Sequence, residues 1–140
     1  MPATPPRLMA NGTIRPSRFV RQDTTAPHKG LEGNANCKII GVAQEGTNYP
    51  PLSDLVVGGN AAVAGEYFKL YGDGEECLLE CGDTVTHGDY LKSDGVGRGV
   101  PILTVGTVLQ RFGAIAEEDG AVGHLIRVAV LIGSERPAIT

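Results

Sequence analysis

The clearest pattern in the chain is the alternation of apolar and polar side chains along its C-terminal half. In residues 125–132, Ile126, Val128, Val130 and Ile132 fall on one side of an extended chain, and the other side is mixed. A period of two is typical of a strand with one buried face. We therefore predict a strand here, with these four side chains in the core.

The same alternation occurs between residues 66 and 81. Cys77, Leu79 and Cys81 share one face of a predicted strand, and the chain before it has the alternating sequence Tyr-Phe-Lys-Leu-Tyr. We expect its odd-numbered side chains to meet solvent or another protein, since tyrosine is favoured at interfaces. The predicted subunit interface is Tyr67, Lys69 and Tyr71, and ordinary exposed sheet surface is the alternative.

Turn residues separate these short strands. In residues 82–99, five glycines and three aspartates surround one apolar residue per strand, Val85 and Leu91, which indicates consecutive tight turns. Gly72 to Gly74 predicts a β-hairpin and residues 117–123 a reverse turn. Further strands are predicted at residues 38–44, 100–105 and 107–116. This pattern predicts an all-β fold, a small β-barrel or β-sandwich of short strands with an extended N-terminal arm.

The first 36 residues differ from the rest in composition. They hold five of the nine prolines and show no sustained periodicity, so we predict an extended arm at residues 1–36 that is strand-like only around residues 13–21, with a disordered tail as the alternative. Residues 37–132 then form the β-rich body, and residues 133–140 a loose tail. A chain of 140 residues is long enough for one domain.

Charge is divided unevenly between these regions. Residues 1–30 carry five basic residues and one acidic residue, a net charge of +4, whereas residues 31–140 carry seven basic and 15 acidic residues, a net charge of -8. Arginines without interleaved aromatic residues, next to an acidic body, make a poor phosphate-binding tract. We therefore expect the arm to lie on an acidic protein surface, with no direct binding of nucleic acid.

Neither a membrane segment nor a secretion signal is evident. No apolar run approaches the length of a membrane span, and the first seven residues lack the apolar core of a signal peptide. We expect the protein to be made inside a cell and to remain there or in a particle assembled there.

No catalytic, metal or cofactor site is predicted from the sequence. Cys37, Cys77 and Cys81 have neither disulfide nor zinc spacing, and we interpret them as small core side chains. The motifs of hydrolases, metalloproteases and phosphate loops are missing from the sequence. A small hydrolase that uses His87 or His124 with an aspartate, Asp89 or Asp94, is the weakest of the alternatives.

Three segments resemble the small β-rich head decoration, or cement, proteins of tailed bacteriophages. These are residues 82–101 (GDTVTHGDYLKSDGVGRGVP), 112–123 (FGAIAEEDGAVG) and 125–130 (LIRVAV). The resemblance implies a β-barrel or sandwich that binds the outer surface of an icosahedral capsid, with the major capsid protein as partner. It also implies a homotrimer, a location on the virion and stabilisation of the head against internal DNA pressure.

The arm would then lie across junctions between shell subunits. Arginine suits this role because its guanidinium binds carboxylates bidentately. Removing residues 1–25 is expected to abolish shell binding and leave the body folded. The predicted shell-binding residues are Arg7, Ile14, Arg15, Arg18, Phe19, Val20 and Arg21.

A β-sandwich module that recognises a carbohydrate or a host surface is the alternative function. Sugar-binding platforms use exposed aromatic faces. The chain has no tryptophan and an aromatic content of 5%, which favours the decoration protein.

Overall fold

The fold was obtained as a computed structural model, which describes residues 8–44, 62–102 and 109–135. These residues form strands and turns without a helix, so the predicted all-β class is confirmed. The strands are β1 (Leu8–Ala10), β2 (Phe19–Gln22), β3 (Lys29–Glu32), β4 (Ile39–Ala43), β5 (Tyr67–Phe68), β6 (Leu70–Tyr71), β7 (Glu76–Glu80), β8 (Tyr90–Ser93), β9 (Gly99–Pro101), β10 (Gln110–Ala116) and β11 (Leu125–Glu135).

The strands are arranged in two sheets. The first sheet has the order β5-β1-β3-β2-β4-β6, in which only the β1 and β3 pair is parallel. Its two outermost strands, β5 and β6, are separated in sequence by Lys69 alone, so the sheet curls back on itself. The second sheet has the order β7-β11-β10-β8-β9, and a bridge between Cys81 and Gly99 connects its two edges.

Residues 8–32 do not form an arm, and this corrects the predicted domain boundary at residue 36. They contribute β1, β2 and β3 to the first sheet. Phe19 and Val20 on β2 are both fully buried. No periodicity is visible in this part of the sequence, because β1 to β3 have only three or four residues each, too few to show alternation.

The first sheet has an apolar cluster on each of its two faces. Phe19 packs with Ile39, Leu79 and Leu91 in a cluster shared by the two sheets. Val20 points the other way and packs with Phe68 in a cluster enclosed by the first sheet. Successive side chains on β2 thus supply the two cores, as the pleat of a strand requires.

Four turns in the described chain have the same backbone hydrogen bonds. Each begins at a residue that forms an isolated β-bridge, which we call the bridge residue, makes a tight turn and enters a strand five residues later. The bridge residues pair with one another, Ile14 with Ala62 and Val85 with Gly120. The fourth residue of each turn has a positive φ, and these residues are Ser17, Gly65, Gly88 and Gly123. Each donates its amide to a small buried residue of a neighbouring strand, at 2.7 to 3.0 Å; the acceptors are Ala43, Ala10, Ala116 and Cys81.

We name these turns the first to the fourth turn, in chain order. In the second, third and fourth turns, the residue after the positive-φ position has a side chain that accepts a hydrogen bond. The donor is the backbone amide of the residue that follows the bridge residue. Asp89, for example, accepts from Thr86 N at 2.9 Å, and Glu66 accepts from Val63 N at 2.8 Å. The equivalent residue of the first turn is Arg18, which has no acceptor.

The stretch of residues 82–99 folds into tight turns as predicted. Val85 and Leu91 are buried, and Asp94 accepts amide hydrogens from Val96 and Arg98 at 2.9 and 2.8 Å. Of the five glycines in this stretch, Gly88 and Gly97 have a positive φ.

The turn at Gly72 to Gly74 is present, but it does not make the predicted hairpin. It joins β6 of the first sheet to β7 of the second sheet. Asp73 Oδ1 accepts the amide of Ile132 at 2.9 Å, and Gly74 donates to Val130 O at 2.8 Å. These bonds to β11 direct the chain from one sheet to the other.

Most of the remaining strand predictions hold. Cys77 and Leu79 are buried on one face of β7, Cys81 is buried directly after it, and Ile126, Val128 and Val130 are buried on one face of β11. Ile132 is 38% exposed, which corrects the fourth predicted core position, because β11 extends past the edge of the core. Parts of the strands predicted at 100–105 and 107–116 lie outside the described residues.

Candidate interaction surfaces

The apolar residues predicted to bind a shell are inside the protein. Ile14, Phe19 and Val20 each have 0% of their surface exposed. They therefore belong to the cores of this chain, and their prediction as shell contacts is corrected. Arg7 lies outside the described residues.

Arg18 forms an ion pair that joins the two sheets. Its side chain is almost fully buried; Nη2 donates to Glu80 Oε2 on β7 at 3.1 Å, and Nη1 donates to Val96 O at 2.9 Å. Its Nε is buried and has no hydrogen-bond partner among the described residues. The carboxylate that Arg18 binds belongs to the same chain, so its prediction as a shell contact is corrected.

Arg15 pairs with the carboxylate of Glu32 in the bidentate geometry expected of arginine. Nε and Nη2 donate to the two carboxylate oxygens at 2.9 and 3.0 Å, and this hydrogen bonding raises the pKa of the Arg15 guanidinium. Glu32 also accepts the Arg15 amide at 3.4 Å. Glu32 therefore supplies the acceptor that Arg18 cannot offer to the first turn.

Arg21 lies at the rim of an open hollow of about 720 Å³ beside the β2 to β3 turn. The hollow has two cationic side chains, Arg21 and Lys38, and an apolar wall made by Ala26, Pro27, Cys37 and Ile40. Arg21 Nε donates to Glu32 O at 3.3 Å. Asp23, also in the lining, accepts from Asn11 and Thr25, and the bonds from Thr25 and then Asn11 lower the pKa of its carboxyl.

Tyr67, Lys69 and Tyr71 are spread over two strands and the residue between them. Tyr67 and Lys69 are exposed, as expected, and Phe68 between them is buried. Tyr71 is half-buried and packs against the shared core cluster. Their role as a subunit interface stays a prediction.

The face of the second sheet that points away from its core is largely apolar. Ala129 on β11 pairs with Ile115 on β10, and Ile115 pairs with Tyr90 on β8, so the three form a row across the sheet. The rings of Tyr90 and Phe112 are 4.7 Å apart. We call this face the outer patch; it consists of Leu78, Tyr90, Phe112, Ile115, Ala129 and Leu131, all half-buried or exposed. Sequence reasoning missed it because only the cross-strand register brings these residues together.

Carboxylates border the outer patch. Glu76 pairs with Ala129, and the Glu117 amide donates to Arg127 O at 3.0 Å. Desolvation and then a hydrogen bond with Glu76 raise the pKa of Glu117, and Arg127 opposes this effect. Arg127 also pairs with Leu78 of the outer patch, so the border carries charges of both signs.

The charge difference seen in the sequence persists in the described structure. Residues 8–44 carry five basic and two acidic residues, a net charge of +3, whereas residues 62–102 and 109–135 carry five basic and 12 acidic residues, a net charge of -7. The hollow lies in the positive part and the outer patch in the negative part.

Among the described residues, His87 and His124 have hydrogen-bonded side chains, and Cys77 and Cys81 are buried in the core. His87 Nδ1 is 2.8 Å from Asp119 Oδ1, so His87 pairs with neither Asp89 nor Asp94, and both side chains are exposed. Burial raises the pKa of Cys77 to about 12 and also raises the pKa of Cys81, which suits core thiols. No group of three potential metal ligands, and no helix that could span a membrane, is found among the described residues.

Comparison with solved structures shows a similarity in fold to a bacteriophage protein. The crystal structure of the N-terminal base of the head fibre protein gp8.5 of bacteriophage phi29 has a TM-score of 0.59 to this chain, at 14% sequence identity. The match covers 89% of this chain and 90% of the fibre base, so the two share a fold over nearly their whole lengths. No protein-family model and no curated protein matches the sequence.

Proposed function

We propose that this chain is a structural protein of a tailed-phage head, a decoration protein that binds the outer surface of the icosahedral capsid and stabilises it against internal DNA pressure. The observation that carries the proposal is the fold shared with a phage head fibre base over 89% of the chain. The resemblance of residues 82–101, 112–123 and 125–130 to head decoration proteins supports it independently. Its partners are the major capsid protein and further copies of itself, as a homotrimer on the virion surface.

The described side chains also favour binding through surfaces. The described chain has an apolar outer patch and an open hollow, and exposed apolar area with a polar border is typical of protein interfaces. A decoration protein occupies many identical sites, so each contact can be weak when copies brace one another.

Contact with the shell is now assigned to fewer residues. Because Ile14, Arg18, Phe19 and Val20 are buried, and because Arg15 and Arg21 already donate hydrogen bonds to Glu32, the proposed shell contact is limited to residues 1–7, with Arg7 as its cation. Deleting residues 1–25 would remove β1 and β2 with the core side chain Phe19, so this deletion does not separate binding from folding. Deleting residues 1–7 leaves all eleven described strands.

The test is co-sedimentation of the purified chain with expanded, undecorated capsids of its source phage. We expect saturable binding and a higher temperature of capsid disruption in decorated particles. The variant without residues 1–7 should remain folded by circular dichroism and bind more weakly. The matched control is the buried-pair variant Arg18→Met, which should lower stability without lowering the shell affinity of the folded fraction.

Two outcomes would contradict different parts of the proposal. Full binding by the chain without residues 1–7 would remove the N-terminal contact and keep the decoration function. Absence of binding by the full chain to any capsid form would overturn the decoration function, and glycan arrays would then test the carbohydrate-binding alternative.

A further inference from the structure

The outer face of the second sheet carries balanced charges around its apolar centre. The charged residues of this face are Glu76, Glu117, Arg127 and Lys92. They are two carboxylates and two cations, and Glu80 at the edge of the face is already paired with Arg18. Because the charges balance, the face does not favour a partner of one sign. The order of the residues along the strands then decides what fits.

The strand register arranges the outer face in two adjacent rows that cross the sheet. The first row consists of Glu76, Ala129, Ile115 and Tyr90, on β7, β11, β10 and β8. In the second row, Arg127 on β11 lies beside Glu117, whose amide donates to Arg127 O at 3.0 Å. The two central strands therefore place a cation beside a carboxylate in one row and a small apolar side chain beside a larger one in the other.

This order matches itself under one rotation. A twofold axis parallel to the strands, above the boundary of β10 and β11, places β11 of one copy over β10 of the other within the same row, and β7 over β8. Arg127 of each copy then faces Glu117 of the other, and Ala129 faces Ile115. At the ends of the first row, Glu76 faces Tyr90.

We propose that two copies of this chain bind each other through their outer patches about this axis, with Arg127 of each copy paired with Glu117 of the other and Tyr90 donating to Glu76. Apolar contact at the centre would supply affinity, and the charge pairs would fix the register. The proposal deepens the proposed function by naming one contact through which copies brace one another, and rests on it only for this role on the particle.

The side chains involved have groups available for such a contact. Among the described residues, neither Arg127 nor Tyr90 has a side-chain hydrogen bond or an ion pair. A tyrosine hydroxyl that becomes buried requires a partner, and a carboxylate provides one. Desolvation and then the hydrogen bond with Glu76 raise the pKa of Glu117, so a cation from a second copy would stabilise its charged form.

A twofold axis perpendicular to the strands does not give this match. It places β11 of one copy over β11 of the other, so that Arg127 faces Arg127, Ala129 or Leu131 of the second copy, according to the row through which the axis passes. Like charges in contact, or a cation covered by apolar side chains, cost free energy. The positions of the charges therefore select the axis parallel to the strands.

The first experiment measures the mass of the full chain in solution by sedimentation equilibrium. We expect reversible association into an even number of copies, a dimer if this contact acts alone and a pair of trimers if the proposed trimer also forms. A monomer at all concentrations, or a trimer that does not pair, would overturn the proposal.

Charge reversal then tests which residues face each other. Arg127→Glu and Glu117→Arg should each raise the dissociation constant of the paired copies by about a hundredfold, since like charges would meet. An equimolar mixture of the two variants should pair as the wild type does, because every contact between the two chains then joins a glutamate and an arginine. Repair within one chain does not produce this result.

A milder variant and matched controls complete the set. Tyr90→Phe should raise the dissociation constant about tenfold by removing the hydrogen bond to Glu76. Lys29→Glu and Glu118→Arg lie outside the outer patch and should leave the pairing unchanged, as should Tyr67→Ala with Lys69→Ala. The thermal transition of each variant checks its folding.

Several results would contradict the contact. They are folded charge-reversal variants that still pair as the wild type does, a mixture of the two that stays dissociated, and controls that dissociate. Pairing that only Tyr67→Ala with Lys69→Ala abolishes would place the contact at β5 and β6 instead.

Capsid co-sedimentation of the same chains separates this proposal from the proposed function. A folded, unpaired Arg127→Glu variant that still binds capsids would support both. A wild-type chain that pairs, with pairing restored in the mixture, but binds no capsid would overturn the decoration function alone. A wild-type chain that binds capsids and never pairs in solution would overturn this contact alone.

Discussion

The four turns share their backbone hydrogen bonds, but the first turn differs from the other three in the burial of the residue that enters the strand. The residue five positions after the bridge is exposed in the last three turns, at 57% for Tyr67, 37% for Tyr90 and 52% for Leu125. In the first turn this residue is Phe19, which is fully buried. The difference arises because the second sheet covers β2 at this position. The same position lies on the surface in the other three turns, whereas in the first turn it packs between the two sheets.

Arg18, the residue before Phe19, also differs from its equivalents in the other three turns. The equivalent residues Glu66, Asp89 and His124 accept a backbone amide of their own turns, at 2.8 to 3.2 Å. Arg18 instead crosses to Glu80, and Glu32 receives the Arg15 amide in its place. In three turns the residue at this position therefore hydrogen-bonds within its own turn, and in the first turn it connects the two sheets.

The largest effect should come from removing the side chain that joins the sheets. Phe19→Ala should lower the free energy of unfolding by about 4 kcal/mol, because it leaves a cavity in the shared cluster. Tyr67→Ala, at the equivalent position of the second turn, should cost less than about 1 kcal/mol, since surface substitutions rarely cost more. Urea denaturation measures both, and equal losses would contradict the different surroundings of the two positions.

The ion pair between the sheets should come next. Arg18→Met should cost about 3 kcal/mol, because it leaves Glu80 without its cation in a site where both side chains are mostly buried. Arg15→Met is the control: the side chain of Arg15 is 43% exposed, and such pairs contribute about 1 kcal/mol or less. A similar stability of the two variants in urea would show that the buried pair does not hold the sheets together.

Exchange of the positive-φ residues should have a smaller and asymmetric effect. Gly88→Ser should cost about 1 kcal/mol: the position has space for a Cβ, so the cost comes from backbone strain at φ 89°. Ser17→Gly should change stability by less than about 0.5 kcal/mol, because relief of strain at φ 57° is offset by the greater entropy of unfolded glycine. Thermal melting compares them; a strongly stabilised Ser17→Gly would contradict the offset.

The smallest effect on stability concerns a hydrogen-bonded link between the third and fourth turns, in the second sheet. Asp119, before the fourth turn, accepts both the amide and Nδ1 of His87 in the third turn at 2.8 Å, and these bonds lower the pKa of Asp119 below its ordinary 3.8. A lowered pKa in the folded state adds stability above the unfolded pKa, and this stability is lost as the pH falls through the folded pKa.

The variant Asp119→Asn tests this link. It should be less stable than the wild type at pH 7, and the difference should shrink as the pH falls below about 4, where the wild-type carboxyl also becomes protonated. Denaturation curves at both pH values measure the difference. A difference that is independent of pH would contradict the lowered pKa of Asp119.

The sequence by itself determined the features that depend on neighbours along the chain. Alternation placed Cys77, Leu79, Ile126 and Val128 in the core, because the pleat of a strand fixes the direction of successive side chains. Glycine and aspartate placed the turns of residues 82–99, because these residues favour turn conformations locally. The all-β class follows from the same two signals.

Only the tertiary structure decided what depends on distant pairing. The predicted arm became three strands because Leu8 pairs with Phe68 and Ile14 with Ala62, partners some 50 to 60 residues away. Arg15, Arg18 and the turn at Gly72 likewise depend on Glu32, Glu80 and β11, whose positions a local pattern does not encode. The outer patch exists because strand register brings β8, β10 and β11 side by side, and register is fixed by the packing of the whole core.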